Sequence, residues 1–247
     1  MGRRAVLVTG ASRGIGRAVA EVFAASGDRV ALHHRASPEK VSQLVDELPG
    51  GGHLAVQADL ADPEAIRRMV DDVAAAFDGL HVVVNNAGIY EPHPITETTY
   101  EQWQQAWRRT LDINLVGAAN VAWCAVQHLP PGGRIINVSS RGAFRGEPGQ
   151  PGYGASKAGL NGLTQSLAVA LGSRGIAVTG IAPGFVDTEM AAAALGSARG
   201  DAIRAQSPFG RVAQPAEIAA AVHYLASPEG EWASGSILDL NGASYTR

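Results

Sequence analysis

The sequence predicts an α/β fold, a doubly wound seven-stranded parallel sheet with helices on both faces. Three observations carry this. Seven short apolar, β-branched runs are near-continuous rather than alternating, as strands covered on both faces require. Amphipathic stretches with apolar residues three and four apart separate several of them. Strand, helix and strand in that order imply right-handed crossovers within one sheet. The runs are RAVLVT (4–9), RVALH (29–33), LAVQ (54–57), HVVV (81–84), RIINV (134–138), AVTGI (177–181) and SILDL (236–240).

The helical signals are local. Ile66, Met69, Val70, Val73 and Phe77 recur on one face after Asp62-Pro63-Glu64, a cap followed by proline at the helix start. PAEIAAAVHYLAS (215–227) has the same form. There is no internal repeat, low-complexity tract or interdomain linker, and Gly50-Gly51-Gly52 reads as a short turn. A chain of 247 residues is long enough for a sizeable core and compatible with one domain.

Composition narrows the partners. A net charge of −3 advertises neither nucleic acid nor an anionic membrane surface. No apolar run reaches the roughly 18 residues that span a bilayer. The opening stretch MGRRAVLVTG holds only AVLV (5–8) as an apolar core, too short for a signal peptide. Cys124 is the single cysteine, so no intrachain disulfide or cysteine-cluster metal site can form, and its apolar neighbours point to a buried thiol. Acidic residues are scattered without metal-ligand spacing. The expectation is a cytoplasmic protein with no metal.

A dinucleotide site is written into the first turn. TGASRGIG (9–16) follows the first strand and opens the first helix. Gly10 allows the tight turn, Gly14 lets backbone approach a pyrophosphate, and Gly16 permits close helix–strand packing. The helix N-terminus offers free N–H groups to phosphate. The second strand ends at HHRAS (33–37) without the acid that commonly binds the ribose of NAD. Arg35 stands there instead, and Arg13 lies in the glycine loop. Two guanidinium groups suit a 2′-phosphate, so NADP(H) is expected over NAD(H). His33 and His34 read as strand-end residues, since no third metal ligand is suggested. Asp59 could accept from the adenine amino group. NNAG (85–88) brings small residues to the fourth strand's end, where its asparagines either meet the cofactor or stitch neighbouring loops together.

Tyr153 and Lys157 are four residues apart, just over one helical turn, so they share a face. A fixed ammonium beside the phenol favours the phenolate and predicts a pKa pulled toward neutrality. Such a tyrosine exchanges protons at pH 7. Ser140, thirteen residues before Tyr153, would hold the other side of the reacting oxygen.

These pieces resemble the short-chain dehydrogenase/reductase family. TGASRGIG (9–16), Asp59-Leu60, NNAG (85–88), INL (113–115), VSS (138–140), YGASK (153–157) and PGFVDT (183–188) follow the family's order along essentially the whole chain. The resemblance implies a single Rossmann-fold domain over residues 1–247 and a tetrad of Asn114, Ser140, Tyr153 and Lys157. It makes Tyr153 the general acid or base and Ser140 the group that polarises the carbonyl. Lys157 would bind the nicotinamide ribose and lower the tyrosine pKa, and Asn114 would hold a relay water. Spacing selects Ser140 over the adjacent Ser139. Cofactor contacts are implied at Gly10, Ser12, Arg13, Gly14, Ile15, Gly16, Arg35, Asp59, Leu60, Asn86, Ala87, Gly88, Tyr153, Lys157, Pro183, Gly184, Val186 and Thr188.

Within the family the chain looks most like bacterial 3-oxoacyl-[acyl-carrier-protein] reductases, through SRGIG (12–16), NVSS (137–140), GQPGYGASKAGL (149–160) and SRGI (173–176). That likeness implies a carrier-bound substrate, with Arg174 in the segment expected to meet the carrier protein. HLPPGG (128–133) lacks the basic residue often found there, and relatives with nearly identical motifs reduce sugars, steroids, quinones or small ketones. A lid is expected over 188–211. Arg141, Phe144, Arg145, Glu147 and Gln150 lie between Ser140 and Tyr153, so some should face substrate, with Arg145 facing either an anion or solvent. The family also contains non-catalytic dinucleotide sensors, but these usually lose the tyrosine or lysine. A homotetramer is implied by the resemblance alone.

Overall fold

All seven expected strands form. The computed structural model describes residues 3–247, so Met1 and Gly2 of the opening stretch lie outside it. The strands are β1 (Ala5–Val8), β2 (Arg29–His34), β3 (Leu54–Gln57), β4 (Val82–Asn85), β5 (Arg134–Val138), β6 (Ala177–Pro183) and β7 (Ile237–Leu240). They pair in parallel in the order β3-β2-β1-β4-β5-β6-β7. The order reverses between β1 and β4, and at such a switch point the strands' carboxyl ends open a crevice for a ligand.

Two apolar layers explain why the strands read as continuous hydrophobic runs. Val6 and Val8 of β1 face one layer, while Ala5 and Leu7 face the other. Val84 and Val83 of β4 divide the same way. The first layer is completed by α1 (Gly14–Ala25), α2 (Pro38–Glu47) and α10 (Pro215–Leu225), the second largely by α3 (Pro63–Phe77) and α5 (Ala118–Val126). Helix α1 buries Gly16, Val19, Ala20, Phe23 and Ala24, one helical stripe. Truncating the fully buried Phe23 to alanine would cost about 3–5 kcal/mol.

The helix punctuation follows the sequence. The Asp62 side chain accepts from the Glu64 and Ala65 N–H groups at 2.9 and 3.1 Å, with Pro63 in the first turn. Helix α4 (Tyr100–Leu111) begins in a Thr99/Gln102 capping box. It passes into a π-helical turn, Asp112–Gly117, before α5. Short α6 (Gly142–Arg145) precedes the 21-residue α7 (Pro151–Leu171). The expected lid consists of α8 (Glu189–Leu195) and α9 (Gly200–Arg204). Among the described residues, no helix is long and apolar enough to cross a membrane.

Candidate active site

The glycine loop is shaped by two left-handed residues, Gly10 (φ +66°) and Gly14 (φ +55°). Packing fixes the third glycine. A Cβ on Gly16 would strike the Gly10 carbonyl oxygen and lie 2.5 Å from the Asn86 amide. Arg13 stands before α1 in extended conformation, and no side chain caps the helix. The first N–H groups of α1 therefore point into the crevice without side-chain partners, the arrangement that receives a pyrophosphate. The cradle fits a dinucleotide.

Neighbouring loops are pinned to it. Thr9 Oγ1 accepts from the Asn86 and Ala87 N–H groups at 2.9 and 3.0 Å, while the Asn86 side chain donates to the Thr9 carbonyl at 2.8 Å. Asn85 is buried and donates to Asn137 at 2.9 Å, which donates to Thr164 at 2.8 Å. Asn86 thus stitches its loop to the glycine loop and Asn85 ties β4 to β5 and α5, while Ala87 and Gly88 keep the wall thin. Beneath the loop, His33 Nδ1 accepts from the Gly10 N–H at 3.0 Å and its Nε2 donates to the Ala58 carbonyl at 3.0 Å. The histidine is structural, a bond that strand-end position alone could not reveal.

At the end of β2, Arg35 is exposed. Arg13 pairs with Glu189 at 2.8 Å, and Lys40 lies 3.7 Å from the same carboxylate. Lys40 adds a third cation to this edge, and its place in the first turn of α2 was the available signal. Exposed Asp59 accepts from the Ala61 N–H at 3.0 Å, shaping a turn above buried Leu60. Across the crevice, the Pro183 carbonyl accepts from the Arg141 N–H at 2.8 Å. Gly184 lies against Asn241, and Val186 pairs with Ala213. A Cβ on Gly14 would sit 3.1 Å from the Thr188 methyl, so the PGFVDT segment closes against the glycine loop.

The four expected tetrad residues converge. Strand β5 delivers Ser140 and α7 delivers Tyr153 and Lys157. Ser139 is buried and donates to the Lys157 carbonyl at 3.2 Å, whereas Ser140 Oγ accepts from the Gly142 N–H at 3.0 Å and acts on the Tyr153 phenol, favouring its ionised form. Lys157 is buried, with its ammonium donating to the Val138 carbonyl at 2.8 Å and lying 5.8 Å from the Tyr153 ring centre. Asn114 sits on the π-helical turn, a departure that often marks function. Its amide oxygen accepts from the Ile89 N–H at 2.8 Å, and its nitrogen donates to the Ile89 carbonyl at 3.0 Å and to Ser156 at 3.2 Å. A Cβ on Gly88 would lie 3.2 Å from Asn114 and 3.6 Å from Lys157, which shows how tightly this corner is closed.

The expected pKa shift of Tyr153 does not appear. Burial pushes its phenol up to about 12, offset in part by Ser140. Burial also lowers Lys157 to about 8. Desolvation is the largest influence on the phenol, reinforced by Glu147 and Tyr90. Tyr153 therefore keeps its proton at neutral pH.

Tyr90 packs edge-on against Tyr153, ring centres 4.9 Å apart, and is half-exposed at the cleft mouth. Arg174 lies beyond the far end of α7, about 27 Å of helix from Tyr153 at ~1.5 Å per residue. Within one chain it is remote from the cleft entrance, contrary to expectation, and it donates to the Val126 carbonyl.

Comparison with known proteins agrees with this geometry. Residues 10–242 match a family model described as enoyl-(acyl carrier protein) reductase. A 3-oxoacyl-[acyl-carrier-protein] reductase FabG of Staphylococcus aureus (strain Mu50) is 37% identical over 98% of both chains. Its namesake from Vibrio cholerae is 36% identical over 98% of this chain and 97% of the other. A short-chain dehydrogenase of Burkholderia cenocepacia J2315, solved in complex with NADP, superposes with a TM-score of 0.90 at 38% identity, covering 99% and 98% of the chains. The chain belongs to the short-chain dehydrogenase/reductase family.

Proposed function

We propose that this chain is an NADP(H)-dependent reductase that moves a hydride between nicotinamide and a carbonyl or secondary alcohol, acting in the cytoplasm on 3-oxoacyl thioesters of acyl carrier protein. The observation that carries the reading is the convergence of Tyr153, Ser140 and buried Lys157 at the mouth of a dinucleotide cradle. The names of the two curated relatives support the substrate, and the NADP complex of the Burkholderia protein supports the cofactor.

NADPH, when bound, supplies the hydride. The N-terminus of α1 receives its pyrophosphate, and Arg13, Arg35 and Lys40 favour a 2′-phosphate over a bare ribose. Ser140 donates to the substrate carbonyl oxygen and orients it. Tyr153, protonated at neutral pH, gives that oxygen a proton as negative charge develops there. The Lys157 ammonium stabilises the phenolate left behind, and Asn114 fixes the wall beside it. In oxidation the same groups run in reverse.

NADPH consumption across 3-oxoacyl thioesters, activated ketones, diketones, quinones and sugars, each repeated with NADH, tests this. Turnover of 3-oxoacyl thioesters with NADPH is expected. Turnover of other carbonyls alone would discard that substrate and keep the chemistry. A clear NADH preference would discard the cofactor assignment.

A further inference from the structure

Arg141, the residue after Ser140, is buried, with 3% of its surface exposed. Its side-chain partners are neutral. It donates to Ser244 Oγ on the C-terminal tail and to the Gln206 amide oxygen at 2.9 Å, and it lies over the Phe185 ring. Among the described residues it forms no ion pair. Buried cations are ordinarily paired, because desolvation without a counter-charge is costly. Arg145 donates to the same Gln206 oxygen at 3.4 Å, so two cations share one neutral acceptor on the segment after α9. The nearest acid, half-buried Glu147, lies 3.9 Å from Arg145 and leaves the group with a net positive charge. The protein as a whole is acidic, so this charge is local.

Arg145 lies toward the reacting centre and Arg141 toward an apolar space, and the shared Gln206 oxygen joins the two. Glu147 and Arg145 act electrostatically on Tyr90, which packs on Tyr153, and exposed Arg199 adds a further positive charge there. On the lid side, Arg141 lines a cavity of about 220 Å³ walled by Phe185, Ile203, Phe209, Val212 and Leu240. Its other lining charges, Arg211 and Glu217, neutralise each other at 2.7 Å. An apolar chamber with one unneutralised buried guanidinium matches an aliphatic chain that ends in an anion.

We propose that this chamber is an anion-terminated acyl subsite, in which Arg141 and Arg145 bind a carboxylate carried by the substrate on the lid side of its carbonyl. The inference rests on the reading of the chain as a carbonyl reductase and narrows its substrate class. The carboxylate displaces the Gln206 amide from the two guanidinium groups, exchanging a neutral acceptor for a charge-assisted one.

Two comparisons test it. The first measures kcat/KM with NADPH for the N-acetylcysteamine monothioester of 3-oxohexanedioate and for its distal methyl ester. The second titrates hexanoate and hexanamide calorimetrically into the protein, which requires no turnover. The acid should exceed its neutral counterpart by about tenfold or more in both, the scale of one charged contact. Arg141→Met should bring both ratios toward one. Gln206→Glu should do the same while keeping the fold, since it places a permanent carboxylate between intact arginines. Equal binding of hexanoate and hexanamide overturns the subsite whether or not thioesters react. So does an acid preference that survives both substitutions. Selective hexanoate binding that needs Arg141, with no thioester reduced, upholds the subsite and overturns the thioester substrate.

Discussion

The backbone N–H of Gly152 donates to Nε2 of buried His93 at 2.9 Å, one residue before Tyr153. The other ring nitrogen lies 2.7 Å from the Glu91 carbonyl, which assigns the proton to Nδ1 and leaves Nε2 as acceptor. His93 thereby fixes where α7 begins. His93→Leu leaves the Gly152 donor unsatisfied and should cost about 1–3 kcal/mol. Turnover should fall with it while NADPH affinity is largely kept, and His93→Gln should recover part of both. Urea unfolding beside steady-state kinetics reads the two effects. Unchanged stability and kcat in His93→Leu would remove this role.

Tyr153→Phe deletes the proton donor and leaves the cradle intact. It should lower kcat by about 10²–10⁴, the usual contribution of general acid–base catalysis. NADPH binding, followed by fluorescence, should be nearly unaffected. Ser139→Ala should leave the proton donor in place, because Ser139 reaches only the Lys157 backbone. A larger kcat loss in Ser139→Ala than in Ser140→Ala would reverse the choice between the two serines.

Gly16→Ala probes the loop. The added methyl meets the Gly10 carbonyl and the Asn86 amide, both fixed by other bonds. Overpacking of this kind costs about 1–3 kcal/mol, and here backbone rather than a flexible side chain must yield. Melting temperature and NADPH affinity should both fall. Gly27→Ala is a useful contrast, since nothing lies within 4 Å of its would-be Cβ and only its φ of +90° opposes the change. Loss of NADPH affinity in Gly27→Ala equal to that in Gly16→Ala would show that the effect is not local to the loop.

The seven strands were legible because burial on both faces leaves a continuous apolar run, and the observed limits differ by only a residue or two. Ser140, Tyr153 and Lys157 were legible because one helix and one strand end fix their spacing, whereas Asn114, on the π-helical turn, was implied only by the family resemblance. Other site residues left no periodic trace. Thr9, His93 and Asn137 act through partners dozens of residues away. A single polar residue with a distant partner looks the same in sequence as a solvated one. The upward shift of the tyrosine pKa was also hidden, since spacing does not show how far the fold desolvates the phenol. Spacing placed Lys157 beside Tyr153, but only the fold showed its ammonium turned to Val138. The buried state of Arg141 was hidden likewise, since its neutral partners come from the segment after α9 and the C-terminal tail.

His33 makes the acid limit of stability predictable. Desolvation lowers its pKa from 6.5 to about 4, with the Ala58 carbonyl and Asp59 opposing and His34 reinforcing the shift. The unfolded chain therefore takes up this proton near pH 6.5 and the folded chain only near 4. Stability from this group is complete above pH 6.5 and is lost as pH falls toward 4. A difference of that size amounts to about 3 kcal/mol. Protonation of Nδ1 also expels the Gly10 N–H, so the cofactor loop should loosen over the same range. His33→Leu removes the titration but strands the Gly10 donor. It should lower stability and NADPH affinity at pH 7 and flatten the pH dependence between 7 and 4 by about one proton. Denaturant unfolding of both proteins across that range measures the slope, and identical slopes would show that another group sets the acid limit.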